Sequence, residues 1–121
     1  IDKDTPLPYL AMVGGDGRTY KQSVGIEDGE AVIKIDQITD IIDGQKTYNY
    51  VTLTGADTKH YNLSVGIDEG EVTQFLVETV NSTDISKSLQ YMTFLGADGN
   101  KYKLSVVVED NEPTLDLTRK A

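Results

Sequence analysis

Residues Gly55–Glu71 read GADTKHYNLSVGIDEGE, and this stretch decides the fold. Tyr61, Leu63, Val65 and Ile67 alternate with Asn62, Ser64, Gly66 and Asp68. Strict alternation of apolar and polar side chains is the mark of a half-buried strand, because successive β residues point to opposite faces. On either side stand Gly55-Ala56-Asp57-Thr58 and Asp68-Glu69-Gly70-Glu71. Gly and Asp tolerate tight reversal, so each flank predicts a hairpin turn. The stretch is therefore a middle strand with a hairpin on each side.

The same phrase occurs 41 residues earlier as GGDGRTYKQSVGIEDGE (Gly14–Glu30) and 41 residues later as GADGNKYKLSVVVEDNE (Gly96–Glu112). Tyr9, Tyr50 and Tyr91 keep the register, as do Tyr20, Tyr61 and Tyr102, then Asp16, Asp57 and Asp98. Between Tyr9–Glu30 and Tyr50–Glu71, 10 of 22 positions are identical, and 10 of 22 again between the second and third copies. Fixed-period self-similarity predicts a repeat architecture. The units are 1–41, 42–82 and 83–121. A piece of this size is near the lower limit for folding unaided, so the three are expected to share one co-packed domain.

Working outward from the middle strand, a first strand is expected over Leu7–Val13, Tyr48–Thr54 and Leu89–Leu95. Leu10, Val51 and Met92, with Met12, Leu53 and Phe94, face inward; the opposite set is also apolar, which predicts cover on both sides. In the second turn the third position is Gly29, Gly70 and Asn111, residues that enter the left-handed region readily. A type I turn closed by a bulge is expected there. A third strand follows over Ala31–Asp36, Val72–Val77 and Pro113–Thr118, although segments 31–42 and 72–80 also fit helical spacing. Asp36–Lys46 and Glu78–Lys87 read as polar connectors. Gln22 is the one break in the apolar pattern of the middle strand.

The fold class is thus all-β: three tandem antiparallel β-meander units. They either form a closed pseudo-threefold domain of the β-trefoil or β-prism kind, or stack as an open row.

Twenty acidic against eleven basic residues leave a net charge of −9, which argues against nucleic acid as a partner. The absence of cysteine excludes disulfides and thiolate chemistry. It fits a cytosolic protein as well as a virion or cell-surface one. No apolar run approaches the roughly 18 residues of a membrane span, so no membrane insertion is expected. The chain opens at Ile1, which suggests that an upstream piece is missing.

His60, the single histidine, has Thr19 and Lys101 as counterparts and reads as a solvent-facing strand residue. The acidic turns are weak calcium candidates: Glu27, Asp28 and Glu30; Asp68, Glu69 and Glu71; Glu109, Asp110 and Glu112. Their spacing matches no EF-hand loop, and turns favour such residues for backbone reasons. Tyr9, Tyr50 and Tyr91 are possible glycan contacts, since exposed aromatic rings stack on sugars. Against that, the apolar surroundings predict that these rings fill the space between units. With no catalytic constellation and no cofactor signature, the chain reads as a non-catalytic structural or interaction module. It would decorate a larger assembly such as a virion capsid or tail, or a bacterial surface. The alternative is a carbohydrate-binding module with up to three equivalent sites.

Overall fold

The computed structural model describes residues 1–40 and 42–120; the expected last positions of the first and third units, 41 and 121, lie outside the described residues. The first unit carries strands β1 (Leu10–Val13), β2 (Thr19–Glu27) and β3 (Glu30–Gln37). The second carries β4 (Val51–Thr54), β5 (His60–Asp68) and β6 (Glu71–Thr79). The third carries β7 (Met92–Leu95), β8 (Lys101–Glu109) and β9 (Glu112–Lys120). They form three separate antiparallel sheets of order β1-β2-β3, β4-β5-β6 and β7-β8-β9. The register repeats with the sequence: Met12 faces Tyr20, Leu53 faces Tyr61 and Phe94 faces Tyr102. The protein is all-β, with three tandem meander units.

Of three local expectations, one holds and two need correction. First, within segments 31–42 and 72–80, which also fit helical spacing, the expected third strands form, as Glu30–Gln37 and Glu71–Thr79, in keeping with their β-branched residues. Second, the hairpin between the second and third strands is not a bulged type I turn. Glu27 pairs directly with Glu30, Asp68 with Glu71 and Glu109 with Glu112, leaving two-residue loops. Both loop residues have positive φ: Asp28 51° and Gly29 81°, Glu69 50° and Gly70 80°, Asp110 50° and Asn111 67°. That is the type I′ turn, whose twist matches the flanking strands. Third, the first strand is shorter than expected. Leu7, Tyr48 and Leu89 leave their own sheets and bridge in parallel to Phe94, Met12 and Leu53 of a neighbouring unit.

Those bridges join the units. The Leu7 amide donates to the Thr93 carbonyl (3.0 Å), and the Leu95 amide donates back to Leu7 (2.8 Å). Tyr48 makes the equivalent pair with Ala11 and Val13, and Leu89 with Thr52 and Thr54, at 2.8–3.0 Å. A second contact repeats likewise: Gly15 donates to Val65, Ala56 to Val106 and Ala97 to Val24. Both kinds of bond run from first unit to second, second to third and third to first, so the hydrogen bonding between units is cyclic.

One hydrophobic cluster draws on all three sheets, with Met12, Leu53, Leu63, Met92, Phe94, Leu104 and Val106 almost wholly buried. A sheet apolar on one face must bury that face against another element; packed against two others, each sheet here buries its inner face. Gln22 occupies the place held by Leu63 and Leu104, with only 1% of its surface exposed. Its Nε2 donates to Gln74 Oε1 at 2.7 Å, and its own Oε1 is buried without a partner.

Candidate functional site

The most repeated motif, Gly-x-Asp followed by Tyr, is a folding device. Tyr20, Tyr61 and Tyr102 donate their hydroxyls to Asp16, Asp57 and Asp98 at 2.6–2.7 Å. Each Asp also accepts the amide two residues on, from Arg18, Lys59 and Asn100 at 3.0–3.1 Å. A Cβ on Gly14, Gly55 or Gly96 would lie 2.6–2.8 Å from the tyrosine ring, so only glycine lets the ring lie flat against the turn. The tyrosine hydroxyl holds each carboxyl below the usual carboxylate range, and the same bond pushes Tyr61 up to about 12. These rings are core residues.

The other tyrosines, Tyr9, Tyr50 and Tyr91, each meet a residue of a neighbouring unit but are not the buried filling expected there. Tyr50 is 43% exposed, and Tyr9 and Tyr91 are half-buried. They stand just before the first strand of each unit, where each hydroxyl finds a partner in a connecting segment. Gln45 donates to the Tyr9 hydroxyl at 2.7 Å, Tyr50 donates to Asp84, and Tyr91 donates to Asp4. Gln45 and Asp4 are one repeat apart, so residues before the first strand act as the third connector. The three places are equivalent in position and unlike in chemistry.

Around Tyr50 the cluster is centred on a hydrogen-bonded carboxylate. Buried Asp84 accepts from Tyr50, from Thr79 Oγ1 (3.0 Å) and from Asn62 Nδ2 (3.3 Å), which lowers its pKa, the tyrosine bond chief among the causes. Asp84 is placed by a short helix, α1 (Ser82–Ser86), in a segment read from sequence as a plain connector. Its signal was Asn81, whose side chain caps the amides of Thr83 and Asp84. A cleft of about 630 Å³ lies beside this cluster, lined among others by Tyr50, Asp84, Ser86, Lys87 and Ser88.

His60 sits on the outer side of β5 but is half-buried, not freely solvated. Its Nδ1 is 2.9 Å from Ser88 Oγ, which in turn lies 2.7 Å from Thr54 Oγ1. An activated serine needs its histidine oriented by a third group. The nearby carboxylate of Asp84 is bonded to Tyr50, Asn62 and Thr79 instead.

Around Tyr91 the cluster is cationic: Lys3, Lys103 and Lys120 place Nζ 5.1–5.5 Å from the ring centroid. Lys120 also pairs with Asp4 at 3.0 Å, which raises the lysine; the Tyr91 hydroxyl first, and this lysine after it, lower the aspartate. Around Tyr9 a single cation, Lys21, lies 5.9 Å from the ring. The Tyr9 and Tyr91 rings thus have lysines over them, and Tyr50 is the most exposed of the three.

All nine acidic turn residues are exposed, at the tips of three different hairpins. Among the described residues, no three His, Asp or Glu side chains gather closely enough to hold a metal ion. No described helix is long and apolar enough to cross a membrane.

The outer faces of the third strands differ as much as the tyrosine sites do. On β6, Phe75 is 41% exposed and Val77 60%, with Val80 just beyond the strand at 85%. The positions one repeat away are Lys34, Asp36 and Thr39 in the first unit, and Asp116 and Thr118 in the third. The Phe75 ring lies over Gly66, where an added Cβ would meet it at 2.0 Å. No family model matches the chain, and no curated protein or solved structure shows significant similarity to it.

Proposed function

We propose that this protein is a non-catalytic structural module of a larger protein assembly, of the kind that forms a virion capsid or tail or a bacterial surface. It meets its neighbour through the outer face of the second sheet. One observation carries the reading: Phe75, Val77 and Val80 are exposed at positions where the other units place mostly charged or hydroxyl side chains. Apolar side chains gathered on an exposed face mark interaction sites, and a repeat supplies its own control. Burial of such a face provides association energy that a solvated face does not.

A photoreactive residue in place of Val77, in the cells or particles that make the protein, should crosslink to a protein neighbour. The same probe at Thr118, the counterpart in the third unit, should not. Equal yields at the two positions would remove the reading.

A second reading, carbohydrate binding, draws on the exposed ring of Tyr50 beside the cleft of about 630 Å³. It favours one site over three, because lysines lie over the rings of Tyr9 and Tyr91. A glycan array should show binding that Tyr50→Ala abolishes and Tyr9→Ala leaves intact; a blank array ends it.

A further inference from the structure

We propose that the neighbour is a second copy of this chain, added antiparallel to the free edge of β6 about a twofold axis. The proposal rests on the interaction reading above and names its partner. β6 is the outer strand of its sheet, bonded to β5 on one side. An exposed strand edge is a template for another strand, and proteins usually guard it with Lys, Pro or charge. The other two edges are guarded: Lys34 and Asp36 stand on β3, and Pro113, Asp116, Arg119 and Lys120 on β9. β6 carries no Pro, Lys or Arg over Glu71–Thr79, and its two charges, Glu71 and Glu78, stand towards its ends. A hollow of about 530 Å³ separates Gln74–Leu76 from Ile33 of the first unit and from Glu112, Pro113 and Leu115 of the third.

The sequence of β6 also suits self-pairing. An antiparallel register centred on Val77 sets Val77 opposite Val77, Phe75 opposite Thr79, and Gln74 opposite Val80. Glu78 falls opposite Leu76, and Glu71 lies beyond the paired stretch, so no like charges face each other. The same operation on β3 would set Asp36 against Asp36. On β9 it would join Asp116, Thr118 and Lys120, whose burial removes little apolar surface from water. A twofold pairing of one edge also closes on itself, giving a dimer rather than a fibre.

Sedimentation velocity on the full chain should show a dimer that grows with concentration. It should strengthen with salt, because each copy carries −9 and screening weakens their repulsion. Val77→Lys should raise the dimer dissociation constant by at least about tenfold, since a lysine would be desolvated at the seam. Thr118→Lys should leave it unchanged. Amide exchange on the unaltered protein supplies a reading that needs no variant: β6 should gain protection with concentration, and β3 and β9 should not. A chain monomeric at every soluble concentration, or a dimer indifferent to Val77→Lys, overturns the proposal. A monomer that still crosslinks from position 77 to another protein overturns self-pairing alone and leaves the interaction reading standing.

Discussion

The inner and outer faces of the three sheets were copied from the same repeat and have fared differently. Inside, Leu63 and Leu104, or Met12, Leu53 and Phe94, answer one another across the units and are equally buried. Outside, Phe75 answers to Lys34 and Asp116, and the partners of Tyr9, Tyr50 and Tyr91 are an amide, a hydrogen-bonded carboxylate and a lysine-rich cluster. A close-packed interior is sensitive to every methylene, and each sheet packs on both of its neighbours. The outer faces have no such constraint, so the differences between units gather there.

That contrast can be broken at the inner face first. Leu63→Ala should lose about 2–5 kcal/mol in denaturant unfolding, since a wholly buried side chain leaves a cavity where three sheets meet. Gly96→Ala should lose about 1–3 kcal/mol, because the new methyl would sit 2.6 Å from the Tyr102 ring. The mildly odd members of the repeat should gain when made regular. Gln22→Leu should add about 1 kcal/mol by replacing a buried, unpartnered oxygen with the leucine that the other units use. Thr58 has φ of 68° where Gly17 and Gly99 stand at 81° and 80°, so Thr58→Gly should add about 1 kcal/mol of stability, read as a higher melting temperature. A loss on either substitution would mean that the unit had adapted around its exception.

The smallest effect depends on pH. Asp57 is depressed chiefly by the Tyr61 hydroxyl, so this pair stabilises the fold above the ordinary aspartate value of about 3.9, and the contribution fades as pH falls through the lower folded value. Tyr61 is raised to about 12, so its contribution is complete below the ordinary tyrosine value of about 10 and is lost as pH climbs towards 12. The melting-temperature gap between the protein and Tyr61→Phe should therefore be widest at neutral pH and narrow at both extremes. A gap that is flat with pH would show that the hydroxyl–carboxylate bond is not its cause.

Much of the fold was legible because its signals are local. Period-2 alternation over Tyr61–Ile67 and the Gly and Asp turns mark each middle strand, and the repeat triples each observation. The first strand was over-extended because Leu7, Tyr48 and Leu89 continue the apolar pattern while bonding to other units. Nothing in a strand's own residues says which neighbour takes its hydrogen bonds. Less of the candidate site could be read. Tyr9, Tyr50 and Tyr91 were visible as a triad, but their partners lie in connectors whose sequences differ, and the helix that presents Asp84 is short. The exposed stripe on β6 was hidden because apolar residues in a strand read as core.

The amino-acid order by itself determined the strands, the turns between them and their threefold recurrence, since each follows from side-chain spacing and backbone preference within a few residues. Only the tertiary structure decided that the third unit bonds back to the first, which tyrosines enter the core and which hold the connectors, and that Phe75 and Val77 of one sheet stand exposed. Those outcomes depend on contacts between residues tens of positions apart, and such contacts are set by how three inner faces can be buried together.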